Sequence, residues 1–140
     1  MTGPFELAIE VLPSDIDDLG HVNNVVYVRW VQDVATAHWR ALASTDQQAR
    51  VAWVVLRHEI DFKRAAVAAD AIVARTWVGP ATAVAFERHT ELLRASDRRL
   101  LAQARTLWCP IDRATGKPCR LPADVRALVS ANPPSARGPT

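Results

Sequence analysis

Apolar side chains occupy every second position through Phe5, Leu7, Ile9 and Val11, the spacing of a half-buried strand, and Pro13 stops the pattern. A different period takes over farther on. Across residues 25–43, Arg29, Gln32, Asp33, Thr36 and Arg40 recur at intervals of three and four, which makes a narrow polar stripe on a helix. Tyr27, Trp30, Val31, Val34, Trp39 and Leu42 cover most of the remaining circumference. A helix so apolar must be wrapped by other structure. Residues 44–48 read as a polar connector, and the strand period then returns four times. Residues 54–63 alternate, with Leu56, His58, Ile60 and Phe62 on one face and Arg57, Glu59, Asp61 and Lys63 on the other. Residues 71–78 follow and end at Gly79-Pro80, a strong breaker pair. Residues 83–93 come next, with a turn at Ser96-Asp97-Arg98, and residues 100–108 close the set. Residues 112–118 carry turn chemistry, and residues 122–129 suit a short helix with Pro122 at its first position.

Connections this short join antiparallel strands and leave no room for helical crossovers. The order therefore predicts an α+β fold, one antiparallel sheet of about five strands wrapped around a long central helix. Residues 1–130 form the domain, and residues 131–140, with three prolines, read as a disordered tail. Such a sheet leaves its other face with Trp77 or Trp108 and several aliphatics to hide, and an edge strand to protect. A homodimer is the simplest remedy.

Composition narrows the function classes. At 140 residues and 49% hydrophobic, the chain has ample material for one core. A net charge of +2, with both signs scattered, leaves no basic stripe for nucleic acid. No apolar run reaches the length of a membrane span, and the first residues carry no secretory pattern. Two cysteines, Cys109 and Cys119, are too few for a disulfide framework. A cytoplasmic setting follows as the expectation. No histidine and acid spacing matches a metal-ligand pattern, so neither metal nor cofactor is expected.

The chemistry is concentrated between strand and helix. Asp15, Asp17, Asp18, Gly20, His21, Asn23 and Asn24 lie within ten residues, too much polarity for a plain connector. Either asparagine can cap the helix. The helix start supplies backbone N–H groups that no helix carbonyl satisfies and a partial positive charge, a place where an oxyanion is stabilised. A carboxylate beside it can attack a carbonyl or draw a proton from water. The plain alternative is that the three aspartates decorate a turn and cap the helix. His21 can bond an acid, a water, a substrate or a loop carbonyl. Tyr27 reads as core or as a substrate contact, and His58, on the apolar face of its strand, as a core histidine or a pocket residue.

Asp15-Ile16-Asp17-Asp18-Leu19-Gly20-His21-Val22-Asn23-Asn24-Val25-Val26-Tyr27 resembles the signature of the 4-hydroxybenzoyl-CoA thioesterase-like hotdog proteins, whose acyl-CoA and plant acyl-carrier-protein thioesterases carry D-x-D-x-x-x-H-V-N-N-x-x-Y. Residues 58–64 with Asp70, residues 86–89, residues 111–118 and Leu121-Pro122 resemble further family segments in the same order. The likeness spans residues 5–129. It implies a hotdog fold, a homodimer or homotetramer, and an acyl-CoA thioester bound at the subunit interface and hydrolysed to free acid and coenzyme A. It implies that Asp17 is the catalytic carboxylate, as nucleophile or general base, with His21 and Asn23 assisting. It also implies that backbone N–H groups around Asn23 and Asn24 polarise the carbonyl, and that Gly20, Val22, Asn24, Tyr27 and His58 lie against the substrate. The chain departs from the pattern twice. Residues 79–83 hold none of the basic side chains that some relatives use to grip the nucleotide, which leaves an acyl-carrier protein as an alternative donor. Leu19 stands where the plant enzymes have an asparagine. Two rivals remain: a hydratase or dehydratase of the same fold, whose histidine motifs are missing here, and an acyl-CoA-binding hotdog protein without turnover.

Overall fold

The computed structural model describes residues 3–130, so the tail expected at residues 131–140 lies outside the described residues. Helix α1 spans Asn24–Leu42, with Asn23 as its cap: the Asn23 side chain accepts from the Val25 N–H at 3.0 Å. Strand β1 (Phe5–Glu10) precedes it, after which come β2 (Val51–Phe62), β3 (Ala71–Ala81), β4 (Phe86–Arg94), β5 (Leu100–Asp112) and a two-residue β6 (Lys117–Pro118). They form one antiparallel sheet in the order β1-β3-β4-β5-β2, with β6 beside β5. The sheet curls around α1, the arrangement expected from the pattern.

Side-chain volume explains the close approach of helix and sheet. The strands face α1 with small groups: Ala74 and Thr76 from β3, Thr90 from β4, and Ala102, Ala104 and Thr106 from β5, all buried. Onto that floor α1 lowers Tyr27, Trp30, Val31 and Val34, each at most 1% exposed. Phe5, Leu7 and Ile9 of β1 and Ile60 of β2 close the sides. Burying Trp30 or Tyr27 removes roughly 150–250 Å² of surface from water. The polar stripe Arg29, Gln32, Asp33, Thr36 and Arg40 stays exposed, as the helical period requires.

Several expectations need correction. Residues 44–48 are not a plain connector: Thr45–Arg50 form a short helix, α2, closed by a reciprocal Ser44–Gln47 capping box. Strand β2 starts at Val51 and carries a bulge between Val55 and Arg57, which leaves Leu56 57% exposed instead of on the helix-facing row with His58 and Ile60. Gly79-Pro80 does not end β3, which runs on to Ala81 through an irregularity after Val78. The Gly79 backbone passes so near His89 that a Cβ there would lie 3.0 Å from Nε2, which is why a residue without a side chain sits inside this strand. Pro122 caps the C-terminal helix α3 (Ala123–Val129) instead of opening it.

The outer face of the sheet also differs from expectation. Trp108 faces inward. Trp77 does face outward, stacked on His89 with centroids 5.7 Å apart, but the rows around it are charged. Arg75 pairs with Glu6 and Glu91, Arg105 with Glu59 and Glu87, and His89 with Glu87. The cross-strand register places opposite charges side by side, so the middle of this face is a network of ion pairs. Within the strands, the exposed large apolar side chains are Val54, Leu56 and Phe62 of β2, at the edge of the sheet.

One half-buried titratable group projects from the C-terminal half of α1 itself. His38 stacks on Phe5 at 4.8 Å and shares a 2.9 Å hydrogen bond with Arg88. Burial, and then the neighbouring guanidinium, hold the imidazole down to about 4 from its usual 6.5. The folded state therefore takes up the His38 proton later than the unfolded chain does. The associated stability is present above pH 6.5 and is lost as pH falls through about 4. Urea-unfolding midpoints measured between about pH 7 and 4 should fall more steeply for the native chain than for His38→Gln. Parallel pH profiles for the two would show that this imidazole is not a buried neutral group.

Candidate active site

The acidic loop is a tight hairpin clamped to the start of α1. Ile16 and Val22 bridge its stem, the Asp17 N–H donates to the His21 carbonyl at 2.8 Å, and the Gly20 N–H donates back to the Asp17 carbonyl at 3.0 Å. Gly20 closes the turn at φ +78, in the left-handed region, with nothing within 4 Å of a would-be Cβ; glycine is needed there for its backbone alone.

The three aspartates have separate tasks. Asp15 is structural: it is 2% exposed, and its carboxylate accepts from the Leu12 N–H at 2.9 Å and from Arg29 at 3.0 Å. Its carbonyl accepts the Asn23 N–H at 2.9 Å, which ties the loop to the helix cap. Asp17 stands at the cleft. Its Oδ1 accepts from the Leu19 N–H at 2.9 Å and the His21 N–H at 3.2 Å, so one oxygen braces the turn. Its Oδ2 has no partner among the described residues. Asp18 is exposed and does not line the cleft.

The backbone donors sort themselves in the same way. The Asn23 N–H is consumed by Asp15 and the Val25 N–H by the Asn23 side chain. The Val26 N–H goes to the Asn23 carbonyl. The Asn24 N–H, at the first residue of α1, has no acceptor among the described residues, which makes it the donor left for a ligand. Since the Asn23 oxygen is committed to the cap, what remains of that side chain for a ligand or water is its NH₂ group.

An open cleft of about 430 Å³ runs beside these groups. Asp17, His21, Val22, Asn23, Asn24 and Tyr27 line it, so the structure brings together most of the residues singled out in the sequence. Tyr27 serves the core at the same time. It is 1% exposed, and its hydroxyl donates to the Arg64 carbonyl at 3.1 Å and accepts from the Ala66 N–H at 2.8 Å. This bridge pins the segment after β2 against α1. His58 is not on the cleft: it faces α1 from β2, with Nδ1 2.9 Å from the Thr106 hydroxyl and Nε2 3.5 Å from Gln32. Burial lowers its pKa from the usual 6.5. Gly20 shapes the turn and is not among the lining residues.

Sequence reasoning missed the opposite wall, made by Phe62, Lys63, Arg64 and Ala65. Lys63 and Arg64 are exposed cations beside the cleft, although residues 79–83 hold none. The signal was available: two basic residues in succession where a strand stops. Among the described residues no group of three His, Cys, Asp or Glu side chains is placed to hold a metal ion.

The fold has counterparts in known proteins. A family model described as the thioesterase-like superfamily matches residues 11–129. Among solved structures, a 1,4-dihydroxy-2-naphthoyl-CoA thioesterase from Synechocystis superposes with a TM-score of 0.78 at 21% identity, covering 91% of this chain and 96% of that one. A probable thioesterase from Bartonella henselae gives 0.75 at 23% identity, covering 86% and 100%. A Thermus thermophilus thioesterase, solved with coenzyme A and zinc, gives 0.77 at 18% identity, covering 89% and 90%. Likeness at these identities establishes the shared fold. No curated protein matches the chain in sequence.

The division of labour between the aspartates is open to test by stability. Asp15→Ala strands the Leu12 N–H and a half-exposed Arg29, and should cost about 1–3 kcal/mol. Asp17→Asn keeps an acceptor oxygen for the turn and should cost less than about 1 kcal/mol. Urea denaturation of both variants measures this; the reverse ranking would mean that Asp17 and not Asp15 anchors the loop.

Proposed function

The chain belongs to the thioesterase-like superfamily, and from that premise we propose that it hydrolyses an acyl-CoA thioester to the free acid and coenzyme A in the cleft beside Asp17. The observation that carries this reading is the meeting, on one cleft, of a carboxylate with an uncommitted oxygen and the free N–H group at the start of α1.

In this reading the thioester carbonyl oxygen rests on the Asn24 N–H, whose bond strengthens as negative charge develops there. The dipole of α1 acts in the same sense. Asp17 Oδ2 then either attacks the carbonyl carbon or takes a proton from an attacking water. In the first route the C–S bond breaks to give an acyl-aspartyl anhydride and a coenzyme A thiolate, which picks up a proton; water cleaves the anhydride and restores the carboxylate. In the second, water adds to the carbonyl carbon as Asp17 takes its proton, the C–S bond breaks, and the departing thiolate recovers that proton, which restores the carboxylate. Bracing Oδ1 with two backbone N–H groups fixes the carboxylate plane, so Oδ2 is presented without rotamer search. The imidazole of His21 and the NH₂ of Asn23 lie on the same cleft and orient water or substrate. Lys63 and Arg64 offer charge to the phosphates of coenzyme A, a role for which residues 79–83 are unsuited.

A homodimer or larger assembly completes the proposal. Its support is the exposed apolar edge strand β2 carrying Val54, Leu56 and Phe62. Phe62 also lines the cleft, so a partner seated on this edge would border the site. Light scattering of the native chain should give at least twice the 15.4 kDa chain mass. An active monomer would remove the interface from the account.

Thiol release under saturating acyl-CoA tests the chemistry. Asp17→Asn should lose roughly 10²–10⁴-fold in turnover while folding and assembling normally. Asp18→Asn should lose far less, and His21→Ala should fall between. Lys63→Ser with Arg64→Ser should raise KM with little change in kcat, as loss of uniform binding does. Near-native turnover of Asp17→Asn would exclude this carboxylate as the reacting group.

A further inference from the structure

A second cavity, of about 270 Å³, opens between the C-terminal half of α1, the start of β2, and the neighbouring ends of β4 and β5. Its walls are aromatic. Trp39 meets Trp53 edge to face with centroids 5.6 Å apart, Trp53 meets Phe86 in the same way at 5.4 Å, and Trp108 lies beside Phe86 in the sheet register. Strand β4 alternates Phe86, Arg88, Thr90 and Leu92 toward the helix, and this register drives an arginine into the lining.

Arg88 is 7% exposed and has no carboxylate in salt-bridge range among the described residues. Both of its hydrogen bonds leave from Nη1, to His38 Nδ1 at 2.9 Å and to the Thr76 hydroxyl at 3.2 Å; Nε and Nη2 have no acceptor among the described residues. Burial lowers its pKa to about 10, which still leaves it charged at neutral pH, and His38, held down to about 4, is a neutral partner. A buried cation without a counter-charge is costly unless something else supplies it. Two lining residues, Trp53 and Trp108, have indole N–H groups that are sealed from solvent and have no hydrogen-bond partner among the described residues, so the walls offer no acceptor to the guanidinium there. An indole N–H can only donate. The one lining carboxylate, Glu87, is taken by Arg105 at 2.9 Å and His89 at 2.7 Å, while Arg40 and Arg113 add further positive charge. The cavity therefore holds donors and cations in excess of acceptors, within aromatic walls.

We propose that this cavity is a second small-molecule site that takes a compact carboxylic acid, its carboxylate on the Arg88 guanidinium, its aromatic or branched apolar body between Trp39, Trp53 and Phe86. A guanidinium is well matched to a carboxylate, and aromatic faces to an organic body that inorganic anions lack. The site is separate from the acidic loop: from Asn24 to Trp39 the helix advances about 22 Å at about 1.5 Å per residue. It does not rest on the hydrolysis proposed for the cleft, although a free acid is the class of product that such hydrolysis releases.

The test is a titration of the full-length native assembly with benzoate, benzamide and inorganic phosphate, read by calorimetry and by quenching of tryptophan fluorescence. Benzoate should bind saturably and at least about tenfold more tightly than benzamide, because the charge-assisted bonds need the carboxylate. Arg88→Gln should weaken benzoate by at least about tenfold. Ala52→Leu, which fills the cavity without touching a charge, should weaken it likewise and decides the matter alone if Arg88→Gln fails to fold. Asp17→Asn should leave benzoate binding unchanged, whatever it does to thiol release. Equal binding of benzoate and benzamide, phosphate binding without benzoate binding, no saturation by about 10 mM, or loss in Asp17→Asn with none in Ala52→Leu would each overturn the proposal.

Discussion

The seating of α1 on a floor of alanine and threonine is the constraint on which the rest of the structure depends. Ala74, Ala102 and Ala104 let the helix sink until Trp30, Val31 and Val34 are sealed from water. A larger side chain on that floor would lift the helix, and overpacking a core of this kind costs roughly 1–3 kcal/mol. It would also move the helix start, because the loop is hung from it: Asp15 holds the Asn23 N–H, and Tyr27 holds the segment after β2 through Arg64 and Ala66. Core packing and the cleft are therefore one mechanical unit.

The helix is used differently at its two ends. Its first turn offers an open N–H and a positive field beside an acid, within a cleft bordered by cations. Its last turns roof a pocket whose walls are aromatic and whose buried charge is an arginine. Under the two proposals made above, both ends would favour negative charge in a ligand, one where it develops during a reaction and the other where it is already present. The charged outer face of the sheet takes no part in either: its acids and bases are spent on each other across the strands.

Much of this was legible in the sequence because it rests on period. The apolar spacing around Tyr27 and Trp30 defined α1 to within a residue at each end, and the alternation of β1 placed its inward row. The loop was legible because its polar residues are crowded into a short stretch. Helix α2 was missed because its six residues carry no apolar stripe; the Ser44-x-x-Gln47 cap was the one available signal. The breaker pair Gly79-Pro80 misled because a strand irregularity absorbs it. What sequence could not weigh was occupancy. Asn23 and Asn24 look alike as helix-cap neighbours, yet one N–H is consumed and the other has no acceptor among the described residues. Arg88 lies on the inward row of β4 by simple alternation, but only three-dimensional placement reveals that no acid among the described residues waits for it.

The mechanism proposed above requires the substrate carbonyl on the Asn24 N–H, next to Asp17. A crystal structure of Asp17→Asn with a non-hydrolysable acyl-CoA thioether ketone tests it directly. The account predicts the ketone oxygen within about 3.1 Å of the Asn24 nitrogen, with residue 17 against the carbonyl carbon. A ligand whose carbonyl lies elsewhere, or one bound with the Asn24 N–H still unpaired, would contradict it.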